Sequence, residues 1–137
     1  MTHFPSDVAL SDALLAVAPL ALADLVQSLP PSDWLGLALD AATVHQGLVA
    51  SGDRFVSTNA ESAELQRRLP QALAVEMECA AMAQVCRDYG VPLAAIRTIS
   101  DRADDAAHVD FPRFIQTIAS RYSVAVLDRL LAQLPVS

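Results

Sequence analysis

Three short groups of residues in this sequence could do chemistry on a small molecule. Each group follows an apolar run of strand length: Gly52 to Val56, Glu76 to Glu78, and Ser100 with Asp101. Ligands of open α/β sheets bind beyond the carboxyl ends of the strands, so neighbouring strands would bring the groups together. The resulting pocket would offer an aromatic face, carboxylate acceptors and an acid beside a hydroxyl. Such a set suits a nucleoside, which has a base, a diol and a leaving group to protonate.

The two glutamates of the second group are candidates for binding a sugar. Glu76 and Glu78 are two residues apart, so in an extended chain they point to the same side. A carboxylate there can accept hydrogen bonds from both hydroxyls of a ribose, and its charge strengthens each bond. The alternative is that Glu78 only begins a helix, where the helix dipole favours an acid. Arg97 lies in an apolar run and is expected to pair with a buried carboxylate, these two glutamates being candidates.

Asp101 is a candidate general acid. It follows an apolar run and precedes Asp104 and Asp105. Desolvation and neighbouring negative charge both raise the pKa of a carboxyl group, which is what a general acid at neutral pH needs. Ser100 could hold its orientation. The alternative is that Asp101 is a loop or helix-capping aspartate.

The remaining reactive residue types have plainer interpretations. Phe55 and Phe111 could stack on a base, but single phenylalanines more often belong to a core. The two cysteines, Cys79 and Cys86, are seven residues apart on a predicted helix, which places their Cα atoms roughly 10 Å apart. That exceeds the ~7 Å limit for a disulfide, so reduced packing residues are expected. The three histidines are scattered and predict no metal site; they are His3, His45 and His108.

Helices and strands alternate along the predicted chain. Helical spacing, caps and breakers predict four helices: Val8 to Leu29 with a kink or split at Pro19, Ala60 to Leu69, Glu78 to Tyr89 closed by Gly90, and Phe111 to Leu134. Short apolar runs predict three strands: Thr43 to Ala50, Ala72 to Met77 and Leu93 to Ser100, the last followed by a polar loop from Asp101 to Asp110. Alternating elements with continuous apolar strands indicate the α/β class, with a sheet covered on both faces.

The composition limits the classes of protein to consider. The chain has 137 residues, enough for one domain, and its net charge of −7 repels phosphate backbones. Nucleic acid is therefore not an expected partner. The apolar stretch after Val8 is interrupted by Asp12, Pro19 and Asp24, and the N-terminus has no basic segment of a secretory signal. A cytoplasmic protein that does not span a membrane is expected.

Read together, the motifs resemble one enzyme family. Three segments occur in order at matching separations, and His108 to Phe114 adds a fourth similarity; the three are Gly47 to Val56, Ala74 to Glu78, and Ile99 to Asp104. From about His45 onward, the chain resembles the second half of the 5'-methylthioadenosine/S-adenosylhomocysteine nucleosidases, within the nucleoside phosphorylase superfamily. The resemblance implies an α/β three-layer sandwich with a mixed central sheet, represented by its C-terminal half. Residues 1–137 would then form a single, truncated domain of this type.

The resemblance also implies an activity, the hydrolysis of the N-glycosidic bond of methylthioadenosine and S-adenosylhomocysteine with release of adenine. This reaction belongs to methionine salvage and purine nucleoside catabolism. Asp101 would protonate adenine at N7 and Ser100 would help to hold the adenine edge. Phe55 would stack on the base, and the backbone of Val56 would form a hydrogen bond with it. Water is the nucleophile, so no metal or organic cofactor is implied.

The family pattern also places residues around the sugar. Met77 and Glu78 would contact the ribose, with Glu78 taking its hydroxyls. Glu76 belongs to the same motif, and its own contact with substrate is less defined. Phe111 would wall the base and the alkylthio group.

The family places its water-activating glutamate and its glycine-rich segments in the first half of a longer chain. This sequence has four glycines and no predicted strand before Val8. We therefore expect a complementary N-terminal half as partner, and self-association or poor solubility of this chain alone. A homodimer is expected from the family resemblance. Two alternatives stay open: a purine nucleoside phosphorylase, and a nucleoside-binding fragment without turnover.

Overall fold

A computed structural model describes residues 2–30, 42–99 and 118–133 of the chain. Helices and strands alternate in it, which confirms the predicted α/β class. In order, the elements are α1 (Val8–Ser28), β1 (Leu48–Ser51), α2 (Asn59–Arg68), β2 (Ala72–Glu76), α3 (Cys79–Asp88) and α4 (Ser120–Gln133).

Helix α1 is one continuous helix. Its N-cap is Asp7, whose carboxylate accepts the N–H of Leu10 at 2.9 Å. Pro19 lies inside the helix, so the predicted helix is not split there. The helix ends at Ser28, and the N–H of the C-cap residue Leu29 donates to the carbonyl of Leu25 at 3.1 Å.

The hydrophobic core of the described chain lies between α1 and the segment 118–126, which includes the first half of α4. Small and branched side chains of α1 meet branched and aromatic ones from the other segment. The buried residues are Val17, Ala18, Ala21, Leu25, Leu29, Ile118, Tyr122 and Val126. The phenolic O–H of Tyr122 donates to the carbonyl of Ala18 at 3.2 Å, and Arg129 pairs with Asp24. The predicted last helix is thus confirmed from residue 118, while residues 100–117 lie outside the described chain.

Helix α1 also qualifies the expectation about membranes. By length and hydropathy alone, its 21 residues could cross a bilayer, despite Asp12 and Asp24. In this structure one apolar face of the helix packs against α4 and forms part of the hydrophobic core.

Strands β1 and β2 form a two-stranded parallel sheet, with α2 in the connection between them. Parallel strands need such a crossover, which a tight turn cannot supply. The backbone just before β1 passes close to β2 at Gly47, where a Cβ atom would lie 2.3 Å from the Leu73 side chain. β1 is shorter than predicted, since it begins at Leu48 and residues 43–47 form no regular element.

The predicted third strand is wrong for the residues that the structure describes. Residues 91–99 are irregular and pair with neither β1 nor β2. The Leu93 carbonyl accepts the N–H of Asp7 at 2.7 Å, just before α1. An apolar run gives a segment the composition of a strand, but a strand also needs a partner that forms the ladder of hydrogen bonds.

Candidate active site

The carboxyl ends of β1 and β2 lie side by side. Ser51 and Glu76 are partners in the parallel register, and the N–H of Gly52 donates to the carbonyl of Glu76 at 3.0 Å. The loop that carries Phe55 and the turn that carries Glu78 therefore leave from the same edge of the sheet. The structure brings together these two of the three predicted groups.

Glu76 is buried at this edge, with only 6% of its surface exposed. Its Oε2 atom accepts the N–H groups of Glu78 and Cys79, both at 2.8 Å. These amides belong to the first turn of α3, where backbone N–H groups have no partner inside the helix. The Oε1 atom is also shielded from solvent and has no hydrogen-bond partner within the described chain. The Glu76 carboxylate thus anchors the start of α3.

The surroundings of Glu76 favour its charged form. Burial raises the pKa of the carboxyl group, but the Ser51 hydroxyl and the N–H groups of Glu78 and Cys79 lower it more, to about 2. The carboxylate in turn acts on its neighbour. Burial, the hydrogen bond with Glu76 and its negative charge raise the pKa of the Cys79 thiol. Both Cys79 and Cys86 are free thiols.

Ser51 completes the anchoring of α3, and sequence reasoning missed it. Its hydroxyl oxygen accepts the N–H of Ala80 at 3.1 Å, across 29 residues of sequence. Three successive amides, from Glu78 to Ala80, are therefore bound by side chains of the two strands. The sequence feature that could have indicated this role is a hydroxyl residue at the end of one strand, followed by an acid at the end of the next strand.

Arg97 joins the two glutamates of the motif, as predicted. One guanidinium nitrogen lies 3.8 Å from Oε2 of Glu76 and the other 3.3 Å from Oε2 of Glu78. Glu78 occupies the N-cap position of α3, but its side chain makes no capping bond. Its carboxylate, 62% exposed, points to solvent beside Arg97, while Glu76 does the capping. Met77, between them, is also exposed.

Phe55 and Val56 lie in an open groove against α2. Leu65 and Leu69 contribute apolar surface to the same groove, of about 610 Å³. Phe55 is 43% exposed and stands apart from the core between α1 and α4. Phe55 is therefore not part of the hydrophobic core of the described chain. Its contact with a base stays a prediction.

Glu61 holds the loop that carries Phe55. Its carboxylate accepts Arg54 at 2.8 Å, the N–H of Ser57 at 3.3 Å and the hydroxyl of Thr58 at 3.1 Å. Thr58 Oγ accepts the N–H of Glu61 at 3.2 Å, which completes a reciprocal N-terminal cap of α2. The hydrogen bond from Ser57 is the main cause that lowers the pKa of Glu61. The sequence signal for this cap is the Thr-x-x-Glu spacing of Thr58 and Glu61.

The other predicted site residues are Ser100, Asp101 and Phe111, and they lie outside the described residues. Their positions relative to Glu78 and Phe55 stay predictions. Within residues 2–30, 42–99 and 118–133, no three His, Cys, Asp or Glu side chains come together as metal ligands.

Comparison with known proteins places this geometry in a family. Residues 2–132 match the family model of the phosphorylase superfamily. The chain belongs to that superfamily. The match begins well before His45, so the resemblance seen in the sequence extends over α1 as well.

Solved structures of the superfamily resemble the chain closely. It is 34% identical to the 5'-methylthioadenosine/S-adenosylhomocysteine nucleosidase of Neisseria meningitidis in complex with methylthio-immucillin-A, with a TM-score of 0.71 and 96% of this chain covered. It is 28% identical to the S-adenosylhomocysteine nucleosidase of Streptococcus pyogenes, with a TM-score of 0.74 over 97% of this chain. It is 27% identical to the futalosine hydrolase of Helicobacter pylori, with a TM-score of 0.72 over 96% of this chain.

These similarities confirm the family recognised in the sequence and its fold class. They also give the extent of the likeness. The chain spans about half the length of the structures it matches, between 47% and 48% of each of these three.

Proposed function

We propose that this chain forms part of a nucleosidase that hydrolyses the N-glycosidic bond of 5'-methylthioadenosine and S-adenosylhomocysteine and releases adenine. The observation that carries the proposal is the Glu76–Arg97–Glu78 cluster beside the Phe55 loop, at one edge of a parallel sheet. The similarity to nucleosidases from two organisms supports it. We place the reaction in methionine salvage and in the cytoplasm.

Glu78 is the proposed ligand of the ribose hydroxyls. Its carboxylate is exposed beyond the end of β2, where sheets of this class bind ligands. Two hydroxyls can donate to its two oxygens, and the charge strengthens both bonds. Arg97, 3.3 Å away, restrains the carboxylate without covering it. Met77 offers an apolar contact to the same sugar.

Phe55 is the proposed stacking surface for adenine, and the backbone of Val56 the proposed hydrogen-bonding group at its edge. The groove beside α2 gives the ring a partly exposed face. Because Glu61 holds the loop at three points, the ring would be positioned before substrate arrives.

Asp101 is the proposed general acid, with Ser100 as its orienting neighbour and Phe111 as a wall of the pocket. The glycosidic bond breaks through a state with oxocarbenium character, and protonation of N7 lets adenine leave as a neutral base. Such an acid typically contributes about 10²–10⁴-fold to the rate. The proposed nucleophile is water, activated by a glutamate from the part of the fold that this chain does not span. A complementary N-terminal half would supply that part, and a homodimer is the proposed assembly.

Futalosine hydrolysis is a second candidate, favoured by the similarity to the Helicobacter pylori enzyme. It uses the same bond type and leaves the roles above unchanged. A phosphorylase is the third, because the superfamily includes that chemistry by name. A fragment that binds nucleosides without turnover is the fourth.

Product analysis tests the proposal. The purified chain, alone and mixed with the N-terminal half of the Neisseria meningitidis nucleosidase, is incubated with methylthioadenosine or futalosine, with and without phosphate. We expect adenine and a free thioribose from methylthioadenosine, and a loss of about 10²-fold or more in rate for Asp101→Asn. A sugar 1-phosphate would instead indicate a phosphorylase, and binding without base release would indicate the fragment. Preference for futalosine would select the second candidate.

A further inference from the structure

We propose that Glu76 is a positioning residue for Glu78. Its buried carboxylate fixes the turn between β2 and α3, and that turn sets where the Glu78 side chain lies against the ribose. This inference rests on the proposed function, because it takes Glu78 as the ligand of the ribose hydroxyls. Glu76 would act through Glu78 rather than by touching the substrate.

The first support is the pair of hydrogen bonds from one oxygen. Oε2 of Glu76 accepts the N–H of Glu78 and that of Cys79, both at 2.8 Å. The first of these amides is the backbone of the very residue whose side chain is exposed to the ligand. Bonds to a charged acceptor are stronger than those between neutral groups, so they hold this turn more firmly than a neutral cap would.

The second support is burial. Glu76 is the only buried polar residue in the described chain, and both of its carboxylate oxygens are shielded: Oε2 by the helix amides and Oε1 by the surrounding protein. Glu78, two residues later, is 62% exposed. The two acids of the motif therefore have different surroundings and can have different roles. Glu76 faces the protein, and Glu78 faces the place where a ligand would lie.

Arg97 forms the other link between the two carboxylates. Its guanidinium lies 3.8 Å from Glu76 and 3.3 Å from Glu78, and its side chain is 39% exposed. Ion pairs that are open to solvent contribute little, because water screens them and long side chains lose entropy. The backbone anchor, rather than this pair, must therefore supply most of the positioning.

The experiment compares Glu76→Ala and Glu76→Gln with Asp88→Asn. The control removes a carboxylate from the other end of the same helix, where Asp88 accepts a hydrogen bond from the Gln84 amide at 2.8 Å. Two properties are measured on the full chain. One is amide hydrogen exchange at Glu78 and Cys79, with the Val126 amide reporting whether α4 stays folded. The other is calorimetric affinity for methylthioadenosine and for adenine, measured with the N-terminal half of the Neisseria meningitidis nucleosidase present. The ratio of the two affinities reports the contribution of the methylthioribose.

We expect Glu76→Ala to increase exchange at the Glu78 and Cys79 amides by about tenfold or more, since bonds to a charged group are lost. The preference for methylthioadenosine over adenine should fall by roughly tenfold, while affinity for adenine stays within about twofold. Glu76→Gln keeps an acceptor oxygen without the charge and should fall between wild type and Glu76→Ala. Asp88→Asn should match wild type in both measurements.

Two results would overturn the positioning role. Unchanged amide exchange in Glu76→Ala would show that the carboxylate does not hold the turn. Faster exchange with an unchanged nucleoside preference would leave Glu76 a purely structural residue. A wild-type chain that, with the N-terminal half of the Neisseria meningitidis nucleosidase present, binds methylthioadenosine no better than adenine, or binds neither, would instead overturn the proposed function and this role with it. The exchange data distinguish that case, because they report the anchor without any ligand.

Discussion

The helix pair and the sheet region of this chain bury their residues in opposite ways. Between α1 and α4, every buried residue is hydrophobic, whereas in residues 42–99 the single buried residue is a carboxylate, Glu76. Large apolar side chains in the sheet region are exposed, among them Leu73 at 59% and Val85 at 56%. The helix pair also exposes large apolar side chains, among them Val8 at 72% and Leu131 at 62%, but it encloses a packed apolar core. The sheet region is held together by polar contacts at its carboxyl edge, and much of its apolar surface is exposed to solvent.

The difference matches the extent of the chain. Its solved relatives are about twice as long. We expect their additional residues to cover the surfaces that correspond to these exposed side chains. Exposed apolar surface of this kind marks contacts with other protein. The self-association expected from the sequence stays a prediction. We expect the exposed apolar side chains of the sheet region to form the contact surface.

The largest effect that would sharpen the comparison is on the helix core. Val126 is 1% exposed and Val124, on the same helix, is 57% exposed. We expect Val126→Ala to lower the free energy of unfolding by about 2 kcal/mol, from lost burial and the cavity that remains. Val124→Ala should stay within about 0.5 kcal/mol of wild type. Urea denaturation measures both, and equal effects would show that α1 and α4 do not form the core.

The same contrast explains which elements could be predicted from sequence. Helix α3 and its end are encoded locally: Gly90 has φ +66°, and the N–H of Val91 donates to the carbonyl of Cys86 at 2.8 Å. Strand β2 was equally readable, as a short apolar run. The third strand failed because pairing depends on a neighbour that composition does not reveal.

Some features of the candidate site could also be predicted from the sequence, and others could not. The Glu76–Glu78 spacing and the pairing of Arg97 followed from the motif and from the cost of burying charge. The role of Ser51 did not, because its hydrogen bond to Ala80 spans 29 residues and depends on strand register. That Glu76 turns inward and Glu78 outward was also not predictable, since equal spacing places both on one side of an extended chain. The start of α3 right after Glu76 separates them.

The second prediction concerns the buried carboxylate of the sheet region. The folded pKa of Glu76 is about 2, below its ordinary value of 4.5. A group with a lowered folded pKa stabilises the protein above the unfolded pKa and loses that contribution as pH falls through the folded pKa. We therefore expect stability to fall as the pH drops from about 4.5 to about 2. Thermal unfolding across this range should show a shallower acid slope for Glu76→Gln than for wild type.

Asp24→Asn is the matched control for that titration, because Asp24 is an exposed acid paired with Arg129 in the helix region. Its acid slope should resemble that of wild type. If the two variants change the slope equally, the carboxyl edge of the sheet has no special electrostatic role. The two regions would then not differ in how much they depend on a buried charge.

The smallest expected effect tests whether the helix pair depends on any polar contact. The Tyr122 hydroxyl is the exception to its apolar packing, donating to the Ala18 carbonyl at 3.2 Å. Burial raises the pKa of this phenol above 10, so its contribution is present at neutral pH and is lost only as pH rises through that raised pKa.

Tyr122→Phe keeps the ring and removes the donor, which should cost about 1 kcal/mol at pH 7. Tyr89→Phe, at a tyrosine that is 81% exposed, should cost nothing measurable in the same urea titration. A loss for Tyr122→Phe as large as that for Val126→Ala would mean that a polar contact organises the helix pair as well. The two regions would then differ in degree of burial and not in kind, because each would depend on a side chain bonded to the backbone of a helix.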